Sequence, residues 1–332
     1  MKSIIQKFVE TSGPSGYESQ MRAAVRAEVE AFADEVRVDA LGNLVVVKGQ
    51  GSSKGQKIML AAHMDEIGVI ATHVDENGFI RFATIGGVRP HTCMGGRVCF
   101  LNGSSGVIGY ELQSDATKMP TFEQMYIDVG ATNRADCPVK VGDIAAFDRP
   151  FAEYGNRLVS KAMDDRIGVA VLVETLRQLN GSPHQTFFVF SVQEEVGLRG
   201  ATTAAYGLDP DIGIAVDVTR SGDTPKGVKM EVSLGKGPAI KVRDSGMLSD
   251  PRVVDWMVRT AEGAKIPYQL EVLEAGTTDA RAIQLTRAGV PAGCISIPCR
   301  YIHAPSEMVD MRDVRNAVNL LLALLSQPVQ LD

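Results

Sequence analysis

A chain of 332 residues, 45% hydrophobic and 22% charged, has the composition of an ordinary soluble globular protein, with apolar material for one large domain or two smaller ones. A net charge of −6, with no basic tract and no low-complexity segment, argues against a nucleic-acid partner. Lys2, Lys7 and Glu10 interrupt the first apolar stretch, and the apolar run Leu320–Leu325 is too short to cross a bilayer, so a cytoplasmic protein without a secretory signal or membrane partner is expected.

Ser19 to Ala33 repeats Met21, Val25, Val29 and Phe32 at helical spacing. VRVDALGNLVVV predicts paired strands turning at Gly42-Asn43, and KIMLAA a buried strand. From about 68 to 157 the pattern changes to short strands between turn residues: GVIATHV and FIRFATI flank Asp75–Gly78, and RVCFLN meets GVIGYEL across a Gly-Ser turn. No long helical pattern interrupts this stretch, which predicts a compact β-barrel or sandwich. Beyond 158 helices and strands alternate. Arg166 to Leu179 predicts an amphipathic helix; TFFVFSV, DIGIAVDV and VPAGCISI predict buried strands; further helices are expected at about 250–264, 278–288 and 312–326. The expectation is an α/β domain, residues 1–67 plus 158–332, whose mostly parallel (mixed) sheet is covered by helices on both faces, with a small β-barrel of residues 68–157 inserted in it. The five cysteines, odd in number and without a CxxC pair, are expected to be reduced and mostly buried.

Five segments place acidic or imidazole groups in turns or just beyond buried strands: AAHMDEIG (61–68), KAMDDRIG (161–168), SVQEEVG (191–197), AVDVT (215–219) and RYIHAPSE (300–307). Each alone is weak, since paired acids are usually solvated. Here they follow runs that should be buried, at the strand ends where open α/β sheets form ligand sites. Buried carboxylates need cations or strong donors. No nearby run of Lys or Arg can neutralise them all, so divalent metal is the economical partner, and His63 and His303 supply imidazoles. Glu194 and Glu195 cannot both face one site from a regular strand, so the chain must end its strand or bend there.

In this order, HMDEIG, the Asp-Asp-Arg turn, Glu-Glu-Val-Gly, the strand-end Asp of AVDVT and His-Ala-Pro-Ser-Glu resemble the tetrahedral, glutamyl-aminopeptidase-like family, some members of which carry cellulase labels. GDTP (222–225), LGKGP (234–238) and GTTDA (276–280) extend the likeness over nearly the whole chain. The resemblance implies a cytoplasmic aminopeptidase with two divalent ions, Zn, Co or Mn. Asp164 would bridge them, with unusual peptide geometry before Asp165; His63 and Asp217 would complete one shell, Glu195 and His303 the other. Glu194 would be the general base, and Asp65 would orient His63. It places Thr277, Thr278 and Asp279 beside the substrate, although these residues also read as a helix cap. His91 is a further substrate-binding candidate, because its loop can reach a neighbouring subunit's active site in relatives, which often carry Gln where this chain has Gly96. The barrel would join dimers, assembled into a tetrahedral dodecamer that admits short peptides with a free N-terminus.

Glu66, Asp165, Arg166 and Glu307 read as support for the ligand loops, and Arg220, Arg243 and Arg300 as candidates for favouring acidic N-terminal residues. Glycosidases work with two carboxylates about 5–9.5 Å apart and usually no metal, so the histidine-rich setting disfavours the cellulase label. The rival within metal chemistry is an amidase, deacetylase or carboxypeptidase-like enzyme acting on blocked or carboxylate-anchored substrates. A non-catalytic assembly protein keeping the fold is the other alternative.

Overall fold

In a computed structural model, residues 1–49, 55–113, 115 and 117–331 are described. The N-terminal part runs α1 (Lys2–Glu10), α2 (Ser19–Val29), β1 (Glu35–Val38), β2 (Leu44–Lys48) and β3 (Lys57–His63). The apolar spacing of α2 buries Met21, Val25 and Val29; α1, which the sequence pattern does not single out, buries Ile4, Ile5, Phe8 and Val9. β1 and β2 form the expected hairpin, with Val38 opposite Leu44. Asp39 Oδ1 accepts from the amides of Leu41, Gly42 and Asn43, and Gly42 takes the left-handed φ of 112° that the turn requires.

β4 (Gly68–Val74), β5 (Ile80–Ile85), the short helix α3 (Pro90–Cys93), β6 (Arg97–Phe100), β7 (Ser105–Tyr110), β8 (Met125–Asp128) and β9 (Ile144–Phe147) follow. The strands close into an antiparallel barrel in the order β4-β5-β8-β7-β6-β9. Alternate residues fill it, among them Val69, Ala71, Ile80, Phe82, Val98, Phe100, Ile108 and Ile127. The expected pairings of β4 with β5 and of β6 with β7 are both present.

The rest comprises β10 (Ala152–Tyr154), β11 (Arg157–Ser160), α4 (Met163–Gln178), β12 (Gln185–Ser191), α5 (Arg199–Leu208), β13 (Ile212–Thr219), β14 (Ala239–Arg243), α6 (Pro251–Gly263), β15 (Gln269–Val272), α7 (Asp279–Gln284), β16 (Ala292–Arg300), β17 (Glu307–Asp310) and α8 (Met311–Leu325). The large sheet runs β1-β2-β12-β3-β13-β16-β17-β11-β10, with β14 and β15 attached beside β16. Its centre, β12-β3-β13-β16, is parallel and its flanks are antiparallel. On one face Ile58, Leu60, Ile214 and Val216 pack under α1, α2, α4, α6 and α8; on the other Met59, Ala61, Phe187 and Val189 meet α5 and α7.

Two helices depart from expectation. α4 is not amphipathic: Ile167 through Val173 are all buried, because β3 and β13 lie on one side and α1, α2 and α8 on the other. α7 stops at Gln284, short of the expected 288, and Arg287 and Gly289 already have left-handed backbones. All five cysteines are free, three of them buried. Among the described residues no helix is long and apolar enough to cross a membrane.

Candidate metal centre

The parallel strands deliver the site at their carboxyl ends. β3 ends at His63, and Asp217 lies two residues before the end of β13. β12 ends at Ser191, after which Gln193 adopts a left-handed φ of 56° and turns the chain so that Glu194 and Glu195 both line one cavity, as the bend argument required. Beyond β16, Tyr301 and His303 are also left-handed, a costly backbone that persists only where its surroundings enforce it. Asp164 enters from the start of α4, and the Asp164–Asp165 peptide is cis.

These side chains meet in a cavity of about 370 Å³. Asp164 stands between the two histidines: its Oδ1 is 3.0 Å from His63 Nε2 and its Oδ2 3.3 Å from His303 Nε2. His63 Nε2 is also 4.0 Å from Asp217 Oδ1, and His303 Nε2 is 3.2 Å from Glu195 Oε1. Two donor groups result, His63/Asp164/Asp217 and Asp164/Glu195/His303, each with ligand atoms within 4.8 Å of one another. Glu194 belongs to neither and sits with Oε2 3.9 Å from His63 Nε2.

The charge balance tests whether cations fit. Burial, then repulsion from Asp217, Asp279 and Glu195 against the opposing pull of His63, pushes Glu194 well above the usual carboxylate range. Burial and Asp164 do the same to Asp217. Asp164 is held low: burial would raise it, but contacts from His303 and His63 prevail. Burial would lower His303, yet Asp164 and Glu195 lift it to about 11. Without cations, then, the two histidines and the upward-shifted carboxyls are what balances the charge crowded at the donors. Glu195 Oε1 has no well-aligned hydrogen-bond donor despite the nearby His303. Divalent cations would replace those protons, and a mixed imidazole and carboxylate set suits Zn, Co or Mn. The residues fit two such ions.

A supporting layer fixes these donors. His63 Nδ1 lies 3.1 Å from the carbonyl oxygen of Asp65 and 3.5 Å from its carboxylate. That carboxylate accepts from Ser15 Oγ at 2.6 Å and from the amides of Glu194 and Glu195 at 3.0 and 3.2 Å, so it also holds the Glu194 loop. Glu307 accepts from the amides of Asp164 and His303, at 2.9 and 2.7 Å, tying the two donor segments together. Asp165 accepts from the amides of His63 and Gly168. A Cβ on Gly168 would come within 2.4 Å of Asp165 and 2.6 Å of the Val216 carbonyl, so this close approach of α4 to β13 needs glycine. Glu66 binds Lys161 and Arg166, and the buried Arg166 donates to the carbonyls of Phe8 and Thr11.

Thr277 and Thr278 line the cavity; Thr278 also caps α7. Asp279 lies behind them, accepting from Ser191 Oγ at 2.5 Å, its carboxyl lifted to about 6 chiefly by burial. His91 is exposed in α3 and does not line the cavity. Of the three arginines considered, Arg220 lines it, Arg300 is engaged by Asp223 at 2.9 and 2.8 Å, and Arg243 does not line it.

Three features were not read from the sequence. Lys241 lies buried in the cavity wall, 2.9 Å from Glu271. Arg281 lines the same cavity from α7. Gly86 and Gly87 carry the barrel against the donors: a Cβ on Gly87 would fall 2.3 Å from His303 Nδ1. The only signal for that contact was a Gly-Gly pair after a strand, which any turn explains.

Acid and imidazole donors gathered at the carboxyl ends of the central parallel strands, in a chain that also carries a closed barrel, recur in peptide-bond hydrolases of the aminopeptidase class, to which comparison with known proteins assigns this chain. The chain belongs to the M42 glutamyl aminopeptidase family, which matches residues 42–320. It is 47% identical over 324 residues to a putative aminopeptidase of Acetivibrio thermocellus, covering 97% of each chain. An aminopeptidase from the archaeon Desulfurococcus kamchatkensis shares its structure with a TM-score of 0.94 at 43% identity, over 98% of this chain and 94% of that one. The TET1 peptidase of Pyrococcus horikoshii, described as assembling into a tetrahedron or a large octahedral shell, aligns with a TM-score of 0.89 at 31% identity, over 98% and 99% of the two chains.

Proposed function

We propose that this aminopeptidase removes single residues from the free N-termini of short peptides, with two divalent ions held by His63, Asp164, Asp217, Glu195 and His303. The observation that carries this reading is Asp164, which directs one carboxylate oxygen toward each of the two donor groups. Bound there, the ions would supply the charge that makes water nucleophilic near neutral pH, polarises the scissile carbonyl and anchors the substrate's amino group.

The chain's own residues perform the rest. Glu194, beside both donor groups but in neither, takes the proton of the attacking water at Oε2 and delivers it to the leaving amine. Asp65 holds the Glu194 and Glu195 amides, so the base keeps its position while its proton moves. Thr277 and Thr278, which line the cavity with Asp279 behind them, would flank the substrate backbone.

In the same reading, residues 1–67 plus 158–332 form the catalytic domain and 68–157 the inserted domain. That domain joins copies into dimers and these into a tetrahedral dodecamer, supported by the apolar side chains the barrel leaves exposed and by the assembly of the Pyrococcus peptidase.

A panel of free-amino aminoacyl-anilides, assayed after metal stripping and after addition of Zn, Co or Mn, tests the reading. Activity should disappear with the metal and return with it, and N-acetylated substrates should stay uncut. Equal turnover of acetylated substrates would instead identify an amidase or deacetylase.

A further inference from the structure

The catalytic cavity continues into a second one. A groove of about 600 Å³ runs between α5 and α7, and Gly197, Leu198 and Arg281 line both spaces. Its outer walls carry two large apolar side chains that the fold leaves in solvent, Tyr206 at 61% and Leu285 at 68% exposure. The Tyr206 wall is braced: Arg287 stacks on its ring at 4.3 Å, donates to its carbonyl at 2.9 Å and pairs with Asp209 at 3.2 Å. Arg281, at the junction, makes no ion pair among the described residues, and neither does Arg220 in the cavity lining, whereas Arg300 and Lys241 are matched by Asp223 and Glu271.

We propose that this groove binds the part of the peptide downstream of the scissile bond: an apolar side chain at the second or third residue packs on Tyr206 and Leu285, and Arg281 binds an oxygen of that stretch. The inference rests on the aminopeptidase reading and deepens it. A peptide whose amino end reaches the metal donors must leave the cavity past the bond to be cut. The shared walls provide a continuous path, and it leads to a preformed apolar surface. Preformed walls cost little ordering on binding, and burying one large apolar side chain changes affinity by about tenfold. The oxygen on Arg281 is either a backbone carbonyl or the terminal carboxylate of a very short peptide.

The test uses the metal-loaded native assembly and four leucyl substrates: the anilide, Leu-Gly-Gly-Gly-amide, and the two tetrapeptide amides with Phe at the second or at the third position. Wild-type kcat/KM should favour a Phe-containing peptide over the all-glycine one by about fivefold or more. Leu285→Asp should shrink that preference to within about twofold, and Leu285→Met should retain it. With the anilide cut, absence of the preference in the wild type, or its survival in Leu285→Asp, overturns the groove assignment alone. If no member of the aminoacyl-anilide panel is cut, the aminopeptidase reading falls and the groove assignment with it; if the panel favours another N-terminal residue, that residue replaces leucine throughout the series. A changed assembly mass in Leu285→Asp with an unaltered preference would mark the groove as a contact between copies, which also overturns the proposal. Comparing free-acid with amide peptides in Arg281→Gln resolves the oxygen. Loss confined to acids identifies the terminal carboxylate, and equal loss on both a carbonyl; no loss on either removes Arg281 from the site.

Discussion

Glu194 and Glu195 are neighbours with separate tasks, and their contacts keep them apart. Glu195 faces His303 and Asp164, whereas Glu194 stands outside both donor groups. Glu194→Gln keeps the shape and removes the proton acceptor. Turnover should fall by a factor of about 10²–10⁴, while metal analysis still finds two ions per chain; activity within tenfold of wild type would remove Glu194 from the base role. Metal removal acts on the same residues differently. Without cations, Asp164, Glu194, Glu195 and Asp217 repel one another in a buried space, so ions that bind the folded chain also stabilise it. The stripped protein should melt several degrees lower, by about 5 °C or more, and recover with Zn, Co or Mn in a scanning-calorimetry titration. An unchanged melting curve after complete stripping would contradict this.

At the scale of elements, the segment joining β13 to β14 forms part of the cavity rim, and Asp223 pins it by a two-pronged pair with Arg300 and by accepting from the Leu234 amide. Burial would raise the Asp223 carboxyl, but Arg300, Ser221 and that amide hold it at about 2. A depressed folded-state pKa contributes stability that is fully present above the unfolded value, near 4, and is lost as pH falls from there toward 2. Asp223→Asn should therefore cost about 1–2 kcal/mol at pH 7, with the gap to wild type closing as urea melts are repeated toward pH 3. A gap that widens on acidification would be the wrong sign. Gly87 links barrel to sheet, and Gly87→Ala should displace His303 and weaken retention of metal about 10–100-fold; unchanged metal content under a competing chelator would dismiss the contact. The central strands were legible because their faces are both buried and read as unbroken apolar runs. α5 was not: its buried face is Gly200, Ala201, Ala204, Ala205 and Leu208, in which a single large side chain leaves little apolar periodicity to read. β14 and β15 invert the usual pattern, burying the Lys241–Glu271 pair while Leu270 and Val272 are exposed. The metal donors stood out because acids follow apolar runs directly. Their supports, Ser15, Gly87 and Lys241, are distant in sequence and come together only by folding.

At the scale of the whole molecule, the barrel has more apolar surface than its own core uses. Its closed strands leave no unpaired edge to recruit a partner, so association must use side chains. Met94, Tyr110, Leu112 and Met119 line one shallow surface there, and Leu112 is fully exposed. Such clustering of large apolar groups on an otherwise well-packed domain is the surface on which the proposed association would draw. Leu112→Asp combined with Met119→Asp places two charges in a surface that must lose its water on association, at a cost of several kcal/mol per copy. Light scattering should then find the wild-type assembly replaced by smaller species. The catalytic cavity, whose described lining lies wholly outside the barrel strands, should still cut aminoacyl-anilides in those species. Large folded substrates separate the two roles further. If enclosure by the assembly is what restricts the enzyme to short peptides, the dissociated variant should trim the N-terminus of an intact folded protein that the assembled form leaves uncut. An unchanged mass would move the interface elsewhere on the molecule, and an unchanged substrate range in dissociated chains would show that the cavity and its groove, rather than enclosure, set the size of what is cut.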